Sequence, residues 1–399
     1  MYQLQANSNL SSQENQLVQQ IQSLNSEAGS HSPSLSTLYQ AIPDLKIEVD
    51  ACFLSNPFAT DLVLDRIKSQ VISNPEFLHW TIEAYPSQNQ AIAEQFAPAV
   101  GADPSRMLIA NGATEAIQAV IKNFASHLHI AIPTFSPYYE FADERTAVTE
   151  YRLNTDDDFV VDPEEYVRSV KESGADVAVL ITPNNPDGRN IPVSDLVWML
   201  EQLRDLRAVI VDESFIHFSR IAEQHDGLPT LVKVVESFEN VILVKSMSKD
   251  FGVAGIRAGY ALMNSSRVER LLDSGYLWNT NGFAEYFFLL FPDDQFLDKY
   301  KEALSHYLGV IDRFTAKSST LSIVEPVPTE SNFQLMRLPN GVSSDVTAAL
   351  LLYRYGVYVR SCSDKIGLDG DNLRVAIRTE KENELVLDAI EEVVTDLVG

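Results

Sequence analysis

The chain of 399 residues is expected to fold as an α/β protein, with a mostly parallel central sheet flanked by helices and a smaller α+β domain. Three observations predict this. Short apolar runs at Leu128–Ile132, Val177–Ile181, Ala208–Val211 and Val241–Val244 alternate with segments of helical periodicity, the pattern of strands buried on both faces. Each run stops at a polar or turn-forming group, namely Pro133, Thr182-Pro183, Asp212 and Lys245. After about residue 295 the pattern changes to longer helices around isolated strands.

Taken in chain order, residues 1–45 read as an arm. They are rich in Gln, Asn and Ser, with Leu17, Ile21 and Leu24 at helical spacing and a loop over residues 28–34. Residues 76–295 form the expected large domain. Within it Ala113–Phe124 has the periodicity of an amphipathic helix, and the apolar run Tyr286–Phe291 reads as core. Residues 46–75 and 296–399 are assigned to the small domain. Its expected helices cover Asp298–Thr315 and Asp345–Tyr355, and its strands Asn332–Met336 and Leu373–Ile377. No internal repeat is visible.

Composition narrows the function. With 30 basic and 56 acidic side chains the net charge is −26, which repels nucleic acid and anionic membranes, so neither is an expected partner. No apolar run reaches the ~18–20 residues of a membrane span. The N-terminus lacks a basic region followed by an apolar stretch, so the expected location is the cytoplasm. The two cysteines, Cys52 and Cys362, stand in neither metal-ligand nor redox spacing, and no metal is expected.

The chemistry-bearing motifs follow the predicted strands, where ligands of such sheets bind. Lys245–Tyr260 packs Ser246, Ser248, Lys249, Arg257 and three glycines into one segment. The hydroxyls and the planar guanidinium suit a phosphate, and Lys249 is the candidate amine nucleophile. A lone Ser-x-Ser-Lys reads better as a solvated loop; the continuation through Gly255, Arg257 and Gly259 reverses that. Asn111–Ile117 opens a helix with Gly112 at its start, either an anion site or a simple N-capped helix. Phe135, after the next strand, reads by itself as a core aromatic. In Thr182–Gly188 the prolines and glycine make a rigid turn that has no need of two adjacent amides, Asn184 and Asn185. Asp212 ends a strand, where a carboxylate is as often a cap or turn residue.

Segment Lys245–Tyr260 resembles the cofactor-lysine motif of fold-type I pyridoxal-5'-phosphate (PLP) enzymes of the class I/II aminotransferase family. The likeness runs from about residue 50 to residue 395. It is nearest the histidinol-phosphate aminotransferase and threonine-phosphate decarboxylase branch. The resemblance implies an aspartate-aminotransferase-like fold, PLP as cofactor and Lys249 as its Schiff-base lysine. It further implies phosphate contacts from Ala113, Thr114, Ser246, Ser248 and Arg257, and ring stacking by Phe135. Asn185 is implied to bond the cofactor O3', and Asp212 to pair with the pyridine nitrogen. Tyr85, in Tyr85-Pro86, is implied to reach the neighbouring subunit's cofactor in a homodimer. Asn56, Arg360 and Arg374 are implied to bind substrate; Arg378 joins them as a candidate because a cluster of arginines in so acidic a chain suits an anionic substrate, and Asn279 and Asn281 are read as further lining residues. The chain departs from the family's commoner residues at Asp187 (Thr in relatives), Phe215 (Tyr in most aminotransferases) and Arg378 (Gly in many). Phe at the position of Phe215 is more usual in the threonine-phosphate decarboxylase branch.

The expected activity is transamination between a 2-oxo acid and a small amino acid or amine with an anionic side chain. The alternative is decarboxylation of a phosphorylated or acidic amino acid. A PLP-fold binding subunit without turnover is a third reading, disfavoured by the full set of cofactor contacts and the presence of Lys249.

Overall fold

A computed structural model describes residues 10–29, 31–219, 228–277 and 279–399. Its strands are β1 (Val49–Ala51), β2 (Met107–Ala110), β3 (His127–Ile132), β4 (Ala147–Arg152), β5 (Val177–Ile181), β6 (Ala208–Asp212), β7 (Val241–Ser246), β8 (Gly259–Leu262), β9 (Glu325–Pro326), β10 (Phe333–Arg337), β11 (Val357–Ser361) and β12 (Asn372–Ala376). The chain divides into two compact units. The larger comprises Ser55–Gly309 with Glu330–Asn332; the smaller comprises Met1–Leu54, Val310–Thr329 and Phe333–Gly399.

The larger unit holds a sheet of order β2-β8-β7-β6-β5-β3-β4. Strands β3 to β7 pair in parallel, while β8 runs antiparallel to both β2 and β7. Every residue of β5, β6 and β7 is buried, which is why these strands read as unbroken apolar runs. Helix Ala113–Phe124 buries Ala113, Ala116, Ile117, Val120, Ile121 and Phe124 against the sheet. Their i, i+3, i+4 spacing is the stripe that predicts a core-facing helix. The aromatic run also lies in the core, with Tyr286, Phe287 and Phe288 buried in helix Gly282–Phe288.

The smaller unit holds a sheet of order β1-β11-β12-β10-β9, in which β1 lies parallel to β11 and the other pairs are antiparallel. Helices Ser344–Tyr355 and Glu380–Val398 belong to it. Helix Asp294–Ser318 extends three to four residues beyond its expected span at each end, and residues from Val310 onward lie in this unit.

The units divide the chain differently from the sequence reading. Residues 55–75 and 296–309 lie in the larger unit, and residues 10–29 pack within the smaller one. The arm is built in by specific contacts. Helix Ser12–Glu27 starts at a capping box of Ser11 and Glu14, and buries Val18 and Ile21 rather than the predicted Leu17, Ile21 and Leu24. Arg354 binds Glu14 at 2.7 Å, and the Tyr358 hydroxyl donates to the Pro33 carbonyl at 2.8 Å. Residues 1–9 of the predicted arm lie outside the described residues.

Candidate active site

The carboxyl ends of the larger sheet gather the predicted cofactor residues. Register sets Asp212 beside Ile181 on one side and Val244 on the other, and sets Gly259 between Ala110 and Ser246. Motifs far apart in sequence therefore end at one edge of the sheet.

Asp212 is buried at the end of β6. It accepts from the Tyr138 hydroxyl at 2.8 Å and from the Ser214 N–H at 2.8 Å. Burial pushes its carboxyl up, and the Ser214 and Tyr138 hydrogen bonds and the Lys245 charge oppose that. Tyr138 is not among the residues that the sequence singles out. A tyrosine one helical turn beyond a strand carries no sequence signal for the carboxylate it meets in space.

Lys249 follows β7. Its carbonyl accepts from the Asn56 N–H at 2.9 Å, so Asn56 sits beside the candidate nucleophile in the larger unit. Asn56 also caps helix Pro57–Arg66, where its Oδ1 accepts from the Phe58 and Ala59 N–H groups at 3.1 and 3.3 Å. That use of the oxygen leaves Nδ2 fully buried with no partner. A buried amide donor left unmade costs ~1–3 kcal/mol, so it marks a place for an acceptor that belongs there.

Gly112, Ala113 and Thr114 form the start of helix Ala113–Phe124, and Arg257 lies against them. Ala113 and Thr114 are the first two helical residues, so their N–H groups have no carbonyl one turn earlier to bond. A Cβ on Gly112 would stand 2.6 Å from Arg257 Nη2, and one on Gly259 would stand 2.5 Å from the Ala113 nitrogen. Glycine at both positions lets backbone and guanidinium converge. Arg257 itself adopts φ 63°, a left-handed conformation costing a non-glycine residue roughly 1–2 kcal/mol. Ser246 and Ser248 are buried nearby, the Ser248 N–H donating to Ser246 Oγ at 3.3 Å. Helix N–H groups, an arginine and serine hydroxyls make a donor set suited to a phosphate dianion.

Asn185 is buried in the turn after β5, Phe215 is buried after β6, and Phe135 packs half-buried against the large core. The amide next to Asn185 braces the turn. Asn184 accepts from Thr134 Oγ1 at 3.2 Å and donates to the Pro133 carbonyl at 3.0 Å. Asp187, the departure from Thr, is fully buried; it bonds Asn184 and accepts from the Arg189 N–H at 2.8 Å. Burial pushes its carboxyl up to about 7. Asp187 thus joins two residues of the loop that carries Asn185.

The predicted substrate arginines lie in the smaller unit. Arg360 and Arg374 face each other across β11 and β12, which puts their side chains on one face of that sheet. Arg360 pairs with Asp364 at 2.6 Å; Arg374 donates to the Cys52 carbonyl at 3.0 Å and lies 5.6 Å from the centre of the Phe333 ring. Arg378 differs: its guanidinium is 4.0 Å from Glu382 and its N–H donates to Asn383 Oδ1, so it joins the helix cap. Asn281 is likewise engaged as the cap of helix Gly282–Phe288 and in a bond to the Ile256 carbonyl, while Trp278 lies outside the described residues. Tyr85 is 86% exposed.

A carboxylate at one end, a lysine at a strand end and a phosphate cradle define the class: PLP-dependent enzymes of fold type I. Residues 59–390 match the model of the family described as aminotransferase class I and II, and the chain belongs to it. It is 43% identical over 382 residues, 96% of this chain and 97% of the other, to an L-serine phosphate decarboxylase of Campylobacter jejuni. It is 38% identical over 384 residues, again 96% and 97%, to an L-serine phosphate decarboxylase of Sulfurospirillum multivorans. A solved decarboxylase structure from Sulfurospirillum multivorans superposes with TM-score 0.90 at 37% identity, covering 96% of this chain and 98% of that one. Histidinol-phosphate aminotransferase and threonine-phosphate decarboxylase occur among relatives at lower identity. The cofactor is PLP, as the family requires, and the buried orphan donor and phosphate-type cradle fit it. These relatives back the decarboxylase alternative better than the transaminase reading.

Proposed function

We propose that this chain is a PLP-dependent decarboxylase that converts O-phospho-L-serine to O-phosphoethanolamine and CO₂. The observation that carries the reading is the 43% identity to an L-serine phosphate decarboxylase across nearly the whole of both chains. Phe215 and the pair Arg374 and Arg378 support it.

The chemistry that PLP supplies when bound is an electron sink for the bond broken at the substrate α-carbon. The protein's own residues do the rest. Lys249 Nζ would hold the cofactor and, once displaced by the substrate amine, would be the group placed to give the α-carbon a proton in place of the lost CO₂. Asp212, steadied by Tyr138 and Ser214, would hold positive charge at the pyridine nitrogen. Asn185 would donate to O3', Phe135 would stack on the ring, and Ala113, Thr114, Ser246, Ser248 and Arg257 would bind the cofactor phosphate. Arg374 and Arg360 are assigned the carboxylate and phosphate of the substrate, and Asn56 Nδ2 the role of a further donor. Arg378 is given only a supporting charge. Which bond breaks depends on which lies perpendicular to the ring, so the grip on the carboxylate decides between CO₂ release and proton removal.

The active unit is proposed to be a homodimer in which the exposed Tyr85 reaches the partner's cofactor. The two free buried cysteines fit a reducing compartment, and the cytoplasm is the location proposed. No helix among the described residues is long and apolar enough to cross a membrane.

Incubation of the holoenzyme with O-phospho-L-serine tests the reaction. Equal amounts of CO₂ and O-phosphoethanolamine, formed by a species that sediments as a dimer, are expected without accumulation of pyridoxamine phosphate. Pyridoxamine phosphate in place of CO₂ would return the chain to transamination, and an active monomer would refute the role of Tyr85. A second expectation concerns Phe215, which offers no hydroxyl to O3'. Phe215→Tyr adds a donor that stabilises the phenolate, so the pH midpoint of the holoenzyme's visible band should fall; an unchanged or higher midpoint refutes this.

A further inference from the structure

Beneath the candidate site lies a group of ionisable side chains that the proposed reaction does not use. Lys245, Asp250, Glu213 and His217 are all buried, none more than 2% exposed. Each of the two acids follows directly on a residue of the site: Glu213 on Asp212, Asp250 on Lys249. The Lys245 ammonium meets the Asp250 carboxylate in an ion pair and donates to the Glu213 carbonyl at 3.2 Å. One cation thus ties the residue after the ring carboxylate to the residue after the cofactor lysine.

Glu213, His217, Tyr260 and Tyr300 stand around this pair. Neither Asp250 oxygen accepts from a hydroxyl or backbone N–H among the described residues. Burial pushes Asp250 up to about 6, opposed first by the Lys245 charge and also by that of Lys249. The Glu213 carboxylate accepts from Thr230 Oγ1 at 2.7 Å, the Leu231 N–H at 2.6 Å and the Tyr260 hydroxyl at 3.5 Å, and burial pushes it up to about 7. His217 bonds the Tyr300 hydroxyl at 2.5 Å and stands 3.7 Å from Asp250, and burial drives it well below its ordinary value, so it is neutral. The tyrosines Tyr260 and Tyr300 are held far above 10 by burial and stay neutral too.

The direction of the ion pair matches what its neighbours need. Its positive end acts on Asp212, where the Lys245 charge favours the carboxylate against the cost of burial. Its negative end stands next in the chain to Lys249, and the Lys249 charge favours the Asp250 carboxylate. We propose that Lys245 and Asp250 are positioning residues, a buried dipole that keeps Asp212 ionised and favours positive charge on the Lys249 nitrogen. The inference rests on PLP being held by Lys249 with Asp212 at its ring, and not on the choice between decarboxylation and transamination.

The test is the double variant Lys245→Met/Asp250→Asn, which removes both charges together and leaves neither buried alone. Readouts are the PLP dissociation constant, the pH midpoint of the visible band, and the thermal midpoint of the apoprotein. The expected result is a folded protein that binds PLP at least about tenfold more weakly, with a visible-band midpoint about one pH unit lower. Lys245→Arg, which keeps the charge, should stay within about twofold of the wild type in affinity. A folded double variant with wild-type affinity and midpoint overturns the proposal. Should the double variant not fold, Asp250→Asn alone decides, since an unchanged midpoint there overturns it equally. Wild-type protein and Lys249→Ala serve as controls. A wild type that stays colourless with PLP defeats the underlying reading as well, whereas a coloured wild type with unaltered variants defeats only this inference.

Discussion

Lys249→Ala is expected to lower CO₂ release from O-phospho-L-serine by at least about 10⁴-fold and to abolish the visible band that wild-type protein shows with PLP. The size follows from losing two functions at one nitrogen. General acid–base catalysis by a positioned side chain contributes typically ~10²–10⁴-fold, and covalent attachment of the cofactor is lost in addition. The fold should survive. The Lys249 main chain is held by the Asn56 N–H at 2.9 Å, and this bond does not involve the side chain. Borohydride reduction of the wild type, followed by peptide mapping, should place the label on Lys249. A label on another lysine, or an alanine variant that keeps its colour, would remove the assignment.

The second large effect is expected at Asp212. Asp212→Asn keeps the shape of the side chain and an oxygen to accept from the Ser214 N–H, so the end of β6 should hold. What disappears is a buried negative charge opposite a nitrogen that must stay protonated. Breaking a buried charge pair at one partner costs ~3–5 kcal/mol, which corresponds to a fall in kcat of about 10²–10⁴-fold. The variant should still bind PLP through the phosphate cradle, with a changed absorption spectrum. A kcat within about threefold of wild type would show that this carboxylate does not govern the ring.

Much of the fold is legible because burial on both faces writes itself into composition. The run Val177–Ile181 reads as a strand and is one, to the residue. Neighbouring β6 and β7 read one and two residues short, since Asp212, Lys245 and Ser246 are polar yet continue the ladder. Strand β4 leaves no mark in the sequence. Its six residues, Ala147–Arg152, are only partly buried at the sheet edge, so no apolar run signals them. Short β1 depends on β11 for its pairing and has no local signature.

The candidate site divides in the same way. Glycine, lysine, arginine and asparagine at strand ends stand out because a turn needs few of them. Tyr138 and the Lys245–Asp250 pair do not stand out. A buried tyrosine looks like any core aromatic, and a Lys and an Asp five residues apart look like solvated surface until their exposure is known to be 1% and 0%. Arg378 has neighbours that its sequence position does not show: its place beside Arg374 suggests substrate, and the structure also sets it near Glu382 and bonds its N–H to Asn383 at the start of a helix.

The sequence by itself determined the alternation of buried strands and helices, the lysine at the end of one strand and the carboxylate at the end of another. All three are local facts, dictated by hydrophobic period and by the residues that can stop a strand. Tertiary structure alone decided which groups meet across long stretches of chain: Arg257 against Gly112, Tyr138 on Asp212, Asn56 beside Lys249. It also decided which charges are stripped of water. Pairing and desolvation depend on neighbours in space, and a one-dimensional pattern carries no record of them.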